Sequence, residues 1–398
     1  MGSKLHRGRR SVFRKRHPIG KILLGLVGAA AIVAGGFFGT KYLMEHPIAA
    51  GPDSSTPAES VPESSVPNSS STEPETPNNM GVADAMRGFY LPNTVLHDTA
   101  ALTATLQQAA SAGFNSVLFD MKDADGRLYF RSSSEQALQV NSFTEDAFSA
   151  EELKALFSSI RQAGLHAVAR LNVFNDNAAA RALPAARITP QGNPSWVWYD
   201  GVPGKGGKAW LNPYTDEARL YVIGLARELR DAGASAVLFD GVQFPSQTSQ
   251  ASYGTSADVN LSRGEILTKF ITEARSLLGD DCPVLLSCTA DSALGEHTQV
   301  YGGNPLTFGA DVAVPAIQPA ADGEQTLRQT VAAIVRQCAT RIKVLPADSQ
   351  PTLAPTLIAD GLSAAELTEA VGGCADGGVS TYILYASDGR YDFPALKN

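Results

Sequence analysis

Two aspartates end apolar stretches of nearly the same sequence. Asp120 lies in GFNSVLFDMKDAD (113–125) and Asp240 lies in GASAVLFDGVQFP (233–245). Carboxyl groups in such positions can exchange protons with a bound substrate or attack it. One such aspartate is equally well explained as a cap on the next turn, or as the partner of a Lys or Arg. Its occurrence twice favours a functional role.

Both stretches belong to a repeated unit in which a helical pattern ends at Ala-Gly and a β-rich apolar strand follows. The unit recurs at 106–122, 156–174 and 225–244, and more loosely at 374–387. Gly suits the left-handed position that ends a helix, and continuous apolar runs are typical of strands buried on both faces of a parallel sheet. The pattern therefore predicts alternating helices and parallel strands.

Eight strands of this kind are predicted, with amphipathic helices such as 263–279 between most of them. They lie near 88–92, 115–121, 166–174, 235–244, 283–289, 311–317, 342–347 and 380–386. This alternation indicates an α/β fold of the (β/α)8 TIM-barrel type, with an open doubly wound sheet as the alternative. Loops after the strands form the active face of such barrels, so Asp120 and Asp240 are expected at its mouth. The 291–310 connection carries little helical pattern, and little chain follows strand eight.

The N-terminal region has a different composition. Residues 1–21 carry eight Lys or Arg and no acid, and 22–39 are apolar and uncharged. We predict a cytoplasmic basic tail (1–21), a transmembrane helix (22–43), a disordered Pro/Ser/Thr/Glu-rich linker (44–84) and an extracellular barrel (85–398). The protein would then be a single-pass protein of the cell membrane. A cleaved secretory signal is the alternative, and it would export the same domain.

Charge and cysteine content limit the possible partners. Of 32 Lys and Arg and 40 Asp and Glu, nine basic residues and one acidic residue lie in residues 1–46. The remainder is strongly acidic, which disfavours nucleic acid as a partner. Four cysteines (282, 288, 338 and 374) form no Cys-x-x-Cys pair. A zinc site is therefore not expected, whereas disulfides and buried free thiols both stay open.

Several phrases together resemble a known family. They are RGFYLP, VLFDMKDADGRLYF, ARLNVFND, AWLNPYTDEARLYVIGLARELRDAGASAVLFDGVQFP and TYILYASDGRY, and they span about 87–392. The family consists of exported bacterial domains of unknown function that are assigned to the glycoside hydrolases of the α-amylase-like barrel superfamily. The resemblance implies a barrel and glycoside hydrolysis. This chain departs from the family pattern at Gly241 and Gln243, where Tyr and Arg are usual, and at 315–319, which lacks the usual Met and Tyr.

Glycosidic hydrolysis ordinarily needs two carboxyl groups. We predict a retaining mechanism in which Asp240 is the nucleophile or base and Asp291 is the acid, with Glu296 in reserve. Arg170 shares a strand face with Asn172 and needs a carboxylate partner, either Asp120 or Asp240. The predicted substrate-binding residues are Asp120, Arg170, Asn172, Trp196, Trp198, Gln243 and Asp388. Trp196 and Trp198 would stack on sugar rings, whereas Trp210 is expected to pack, and Asp123 and Asp125 to form a turn rather than a calcium loop.

Other chemistries lack their motifs. The sequence has no clustered His residues for a metal hydrolase, no Gly-x-Ser-x-Gly and no phosphate-binding Gly motif, so neither a metal nor a cofactor is expected. The expected function is that of a membrane-anchored extracellular glycoside hydrolase acting on an envelope or environmental polysaccharide. One alternative is a catalytically inactive barrel that binds glycan or an envelope protein. Another is a purely structural ectodomain.

Overall fold

The computed structural model describes residues 80–396. The predicted tail, transmembrane helix and most of the linker lie outside these residues, so those boundaries stay predictions. Within 80–396 no helix combines the length and the apolar character needed to cross a bilayer. A short helix, Met80–Ala85, already precedes the first strand.

The predicted (β/α)8 barrel is confirmed. Its eight strands are β1 (Arg87–Tyr90), β2 (Ser116–Lys122), β3 (His166–Asn172), β4 (Ala236–Asp240), β5 (Val284–Thr289), β6 (Val312–Ile317), β7 (Thr356–Ile358) and β8 (Tyr382–Tyr385). Neighbouring strands are parallel, and β1 pairs with both β8 and β2. This double pairing closes the sheet, so the open doubly wound alternative is wrong.

The seventh strand was predicted in the wrong place. The segment 342–347 lies at the end of the helix Leu327–Lys343 and in the turn after it, and the seventh strand is the three-residue segment Thr356–Ile358. Ile342 is buried together with Val331, Val335 and Cys338 of the same helix. These positions are three or four residues apart, which is the period of one helix face.

Six long helices surround the barrel. They are α1 (Thr99–Ser111), α2 (Ala150–Gln162), α3 (Asp216–Ala232), α4 (Arg263–Leu278), α5 (Leu327–Lys343) and α6 (Ala364–Asp376). A Ser, Thr or Asp side chain caps the start of each helix, at Asp98, Ser149, Thr215, Ser262, Thr326 and Ser363. Gly233 follows α3 with φ +111°, and Gly113 and Gly164 also have positive φ. The predicted Ala-Gly helix ends are therefore confirmed.

Short elements complete the described chain. The short helices besides Met80–Ala85 are Asn93–Leu96, Glu135–Val140, Asn177–Ala182 and Ala290–Ala293. The short strands are Leu128–Phe130, Phe143–Phe148, Thr189–Pro190, Ala251–Ser252 and Thr352–Leu353. Only Ala290–Ala293 and two 3₁₀ turns follow β5, and only the 3₁₀ turn Phe393–Leu396 follows β8. The 291–310 connection and the described segment after β8, where the sequence carries little helical pattern, therefore lack a long helix.

Two apolar cores result from the closed sheet. One lies between the strands and the helices and includes Phe119, Phe157 and Phe239. The other fills the barrel interior and includes Leu118, Val168, Leu238, Leu285, Val314 and Ile383. Val82 and Met86, fully buried in this second core, come just before β1. The N-terminal helix therefore contributes to the packing inside the barrel at the amino ends of the strands.

All four cysteines are buried free thiols. Burial raises the pKa of Cys282 and Cys374 to about 12, so both thiols stay protonated at neutral pH. Of the two possibilities left open by the sequence, the structure has the free thiols.

The hydroxyl of Tyr391 lies at the seam where β8 meets β1. It is within hydrogen-bond distance of the carbonyls of Tyr90 (3.0 Å) and Leu384 (3.1 Å), and it accepts a hydrogen bond from the Ala386 N–H at 2.9 Å. Burial raises the pKa of this phenol, which keeps it a donor. Its ring packs edge-on against Phe89. One side chain thereby ties both strands of the seam together.

Replacing Tyr391 with Phe should lower the free energy of unfolding by about 1–3 kcal/mol, because the buried backbone groups lose their partner. Urea unfolding of the variant beside the wild type measures the change. Tyr199→Phe is the control, since the Tyr199 hydroxyl makes no hydrogen bond to a described residue. Equal stabilities of the two variants would contradict this role of Tyr391.

Candidate active site

The carboxyl ends of the barrel strands carry a layer of polar side chains above the apolar interior; we call this end the barrel mouth. Leu118, Val168 and Leu238 belong to the interior core, and side chains alternate along a strand. Asp120, Arg170 and Asp240, each two residues further on, therefore face the same interior. Asp120 and Asp240 therefore lie at the same rim of the barrel, as the sequence predicts.

A pocket of about 290 Å³ opens at this mouth. Its polar lining comes from Arg170, Asp240, Gln243, Ser287, Thr289, Tyr301, Thr356 and Tyr385. A larger hollow of about 460 Å³ lies beside Pro283 and Asp311, next to the amino ends of β5 and β6. That end of a barrel serves stability rather than chemistry, so the pocket at the mouth is the candidate site.

Asp240 is the last residue of β4 and lies opposite Asn172 of β3 in the sheet register. Its Oδ1 accepts a hydrogen bond from the N–H of Gly241 at 2.8 Å, whereas Oδ2 has no hydrogen bond to a described residue. Gly241 has φ +65°, and a Cβ there would come within 2.8 Å of the Asn172 Oδ1. A side chain at position 241 would therefore displace Asn172. The position of Asn172 in this chain depends on having Gly where the family pattern has Tyr.

Asp120 is the partner of Arg170. The guanidinium donates from Nε to Oδ1 at 2.5 Å and from Nη2 to Oδ2 at 3.1 Å, and Tyr90 donates its hydroxyl to Oδ2 at 2.9 Å. The rings of Tyr90 and Tyr385 lie 5.4 and 5.3 Å from the guanidinium carbon. Both oxygens of Asp120 thus accept hydrogen bonds. Of the two aspartates that the sequence offered as partners of Arg170, Asp120 is the one that pairs with it.

The pKa of Arg170 reflects this arrangement. Burial lowers it, but the charge of Asp120 and its hydrogen bonds, with a smaller contribution from Asp240, raise it above the ordinary value. Arg170 therefore stays charged in the pocket wall. Burial raises the pKa of the Tyr90 hydroxyl, and the neighbouring Asp120 raises it further, so this group stays a donor.

Tyr301 is a site residue that the sequence did not indicate. It comes from the connection after β5, is buried, and lines the pocket. Burial raises its pKa, and the nearby Cys288 and Asp240 add to the effect. The Phe244 N–H donates to the Val300 carbonyl at 2.8 Å, which joins the loop after β4 to this connection. No local pattern marks Tyr301, because its position depends on that contact between loops.

Three predicted site residues lie on the exposed surface. Asp291 is in the short helix Ala290–Ala293, Glu296 follows it, and Asp388 accepts a hydrogen bond from the Arg390 N–H in a turn after β8. None of the three is among the described residues that line the pocket with Asp240. Their predicted roles stay predictions that the arrangement of the pocket does not support.

The two tryptophans predicted to stack on sugars differ in environment. Trp196 is 66% exposed, whereas Trp198 is 5% exposed and donates from Nε1 to the Ser249 carbonyl at 2.9 Å. Trp198 therefore packs in the core and cannot offer its face to a ligand. Trp210 is also buried, as expected, and donates to Asp200.

A fully buried ion pair lies beside the mouth. The Lys122 Nζ is 2.9 Å from Oδ2 of Asp176 and donates to the Asn172 carbonyl at 2.5 Å. The pair holds the end of β2 to the end of β3, where Arg170 and Asn172 lie. The sequence did not single out either residue, although a Lys at the end of an apolar strand is a signal that a partner is needed.

Asp123 and Asp125 form the predicted turn. Asp123 Oδ1 accepts hydrogen bonds from the N–H groups of Asp125 and Arg127, both at 2.9 Å. Asp125 is paired with Lys208 at 2.7 Å. Across residues 80–396, no group of three or more His, Cys, Asp or Glu side chains is arranged to hold a metal ion.

Residues 88–291 match a family model described as "putative glycosyl hydrolase domain". The chain belongs to this family. This confirms the resemblance drawn from the sequence, and a glycoside-hydrolase-like domain has carbohydrate as its expected partner. No curated protein matches the chain.

Solved structures resemble the fold at low sequence identity. An inactive variant of the family GH20 exo-β-N-acetylglucosaminidase from Vibrio harveyi has a TM-score of 0.51 and 11% identity, covering 79% of this chain and 54% of that one. A chitobiase from Flavobacterium johnsoniae has a TM-score of 0.48 and 10% identity, covering 78% and 47%. A hypothetical protein from Ruminiclostridium thermocellum has a TM-score of 0.42 and 20% identity, covering 49% and 96%. This chain thus spans about half the length of the first two proteins, and the Vibrio likeness shows the fold alone.

Removing Arg170 should destabilise the barrel. Arg170→Met leaves Asp120 without its charged partner, and breaking a buried ion pair costs about 3–5 kcal/mol. Both side chains are partly exposed, so we expect the low end of this range. Urea unfolding of Arg170→Met, Asp120→Leu and the double variant measures the coupling. A double variant as unstable as the sum of the two single variants would contradict the pairing.

The two tryptophans give a contrasting prediction for stability. Trp198→Ala should lower the free energy of unfolding by about 3–5 kcal/mol because it empties a buried site. Trp196→Ala should change it by no more than about 0.5 kcal/mol because the ring is exposed. Thermal and urea unfolding test both variants, and a large loss for Trp196→Ala would show that its ring packs.

Proposed function

We propose that this chain is a membrane-anchored glycoside hydrolase that acts outside the cell on an envelope or environmental polysaccharide through Asp240. The observation that carries the proposal is the position of this carboxylate. Asp240 ends β4 at the barrel mouth, in a pocket lined by hydroxyl, amide, guanidinium and aromatic groups, and one of its oxygens has no hydrogen bond to any residue within 80–396. Strand-end residues at this face are where barrel enzymes place their chemistry.

The lining of the pocket suits a sugar. A sugar ring offers hydroxyl groups for hydrogen bonding and apolar C–H faces for contact with aromatic rings. Gln243, Thr356 and Tyr301 supply donors and acceptors, and Tyr385 supplies a ring. A volume of about 290 Å³ lies at the lower end of small-molecule sites, which favours one sugar unit rather than a long segment.

Membrane anchoring and the extracellular location rest on the sequence. The apolar segment 22–39 follows a strongly basic tail, and basic residues beside a spanning segment favour the cytoplasmic side. The acidic barrel would then lie outside the cell, with a cell-wall or other glycan as its partner. The retaining mechanism predicted from the sequence, with Asp240 as nucleophile or base, stays part of this proposal.

A second candidate function is glycan binding without catalysis. One observation favours it: Asp291 and Glu296, the predicted acids, are exposed and do not line the pocket. The exposed ring of Trp196 could serve such a binder as a stacking surface. This candidate and the enzyme differ in whether glycosidic bonds are broken.

Asp240→Asn should lower kcat/KM for release of reducing ends by about 10²–10⁴-fold, because the amide can neither give nor take a proton. The assay uses wall polysaccharide, α-glucan and mixed plant glycans, with binding to the same glycans measured in parallel. Asp348→Asn, in an exposed turn after α5, is the matched control. Binding by the wild type without release of reducing ends from any of these glycans would favour the binding candidate instead.

A further inference from the structure

Resting on the function proposed above, we infer that the substrate supplies its own nucleophile, namely the amide oxygen of a 2-acetamido sugar bound at the barrel mouth. In this assignment Asp240 is the acid and then the base of the reaction, which replaces the nucleophile role predicted for it from the sequence and keeps hydrolysis through Asp240 with retention. The substrate class is therefore a glycan that contains N-acetylated amino sugars.

The carboxylates around the pocket are the reason for this inference. Among the described residues that line it, Asp240 is the one with a carboxyl group. Cleavage with a nucleophile or base from the enzyme needs a second carboxyl group about 5–5.5 or 6.5–9.5 Å away. A pocket with one carboxylate lacks this second group.

Asp120 is the nearest substitute, but its oxygens are occupied. Oδ1 accepts from Arg170 Nε, and Oδ2 accepts from Arg170 Nη2 and from the Tyr90 hydroxyl. To attack a sugar it would have to leave a bidentate ion pair with Arg170, whose guanidinium packs beside the rings of Tyr90 and Tyr385. Asp120 is therefore a positioning residue, because it orients Arg170 in the pocket wall.

The other carboxylates that follow barrel strands either pair with other groups or are not among the described residues that line the pocket. Asp176 is fully buried against Lys122. Asp360 accepts from the N–H and the hydroxyl of Ser387 at 2.8 and 2.9 Å. Asp291 and Glu296 lie on the exposed connection after β5.

The pocket offers what an acetamido group requires. Donor groups of Tyr301, Ser287 and Gln243 can bind the amide, and the methyl group can lie against the apolar lining from Leu238 and Ile358. An amide placed on the carbon next to the anomeric centre reacts intramolecularly, and such proximity replaces a protein nucleophile effectively.

The chemical steps balance without any group besides water. The protonated carboxyl of Asp240 gives its proton to the glycosidic oxygen as the bond from that oxygen to C1 breaks. The amide oxygen forms a bond to C1, giving a cyclic oxazolinium ion that carries the positive charge. Water then adds to C1, the bond from the amide oxygen to C1 breaks, and the carboxylate of Asp240 takes a proton from the water. The two displacements at C1 give retention.

The experiment compares matched sugars with the full-length chain. The probes are 4-nitrophenyl glycosides of N-acetylglucosamine and of glucose, each as both anomers, together with a thiazoline analogue of the oxazolinium ion. The amide oxygen can attack C1 only from the face opposite the leaving group, so we expect kcat/KM for the β-N-acetylglucosaminide to exceed that for the β-glucoside by at least about 100-fold, and we expect no cleavage of the α-anomers. We also expect competitive inhibition by the thiazoline.

Variants separate this inference from the proposed function. Asp240→Asn should lower kcat for release of nitrophenol from the N-acetylglucosaminide by about 10²-fold or more, because attack of water on the oxazolinium ion loses its base. Asp291→Asn with Glu296→Gln, and the control Asp348→Asn, should keep the wild-type rate. Loss of activity in the Asp291/Glu296 variant, or equal cleavage of the glucoside, would overturn the inference and leave the hydrolase proposal standing. Absence of cleavage of every glycoside and every polysaccharide would overturn both.

Discussion

Closure of the parallel sheet is the constraint on which the rest of this domain depends. Because β1 pairs with both β8 and β2, the sheet is a closed cylinder. One face of every strand therefore points towards the helices, and the other points towards a common interior. Alternate side chains of all eight strands must then share that interior, which is apolar over most of its depth and polar at the barrel mouth. Tyr391 supports the closure at its seam through hydrogen bonds to Tyr90 of β1 and to Ala386, the residue that follows β8.

Arg170 determines how the polar layer is used. A guanidinium inside a barrel needs a carboxylate, because an unpaired buried charge is strongly unfavourable. Asp120 fills this role from the neighbouring strand, and the rings of Tyr90 and Tyr385 pack beside the guanidinium. The two aspartates that end nearly identical sequence stretches therefore have different roles: Asp120 is held by Arg170, and Asp240 faces the pocket.

The loops decide what the pocket can do. Gly241 lets the chain turn beside Asn172, and the contact between Phe244 and Val300 brings the connection after β5 towards the mouth, where Tyr301 lines the pocket. The same connection carries Asp291 and Glu296 on its exposed side. Asp291 and Glu296, the acids expected to act together with Asp240, thus lie in the predicted loop but do not line the pocket.

The sequence by itself determined the repeated helix–glycine–strand units, the barrel, the rim position of Asp120 and Asp240, and the need of Arg170 for a partner. Each of these follows from local spacing, since glycine ends helices and strand residues alternate between two faces. It misplaced the seventh strand because β7 has only three residues, and because the β-rich segment 342–347 begins within the apolar face of α5. Only the tertiary structure decided which aspartate Arg170 takes, that Trp198 is buried, and that Tyr301 joins the site. These depend on contacts between residues far apart in the chain, and closure of the sheet and packing of the loops bring such residues together.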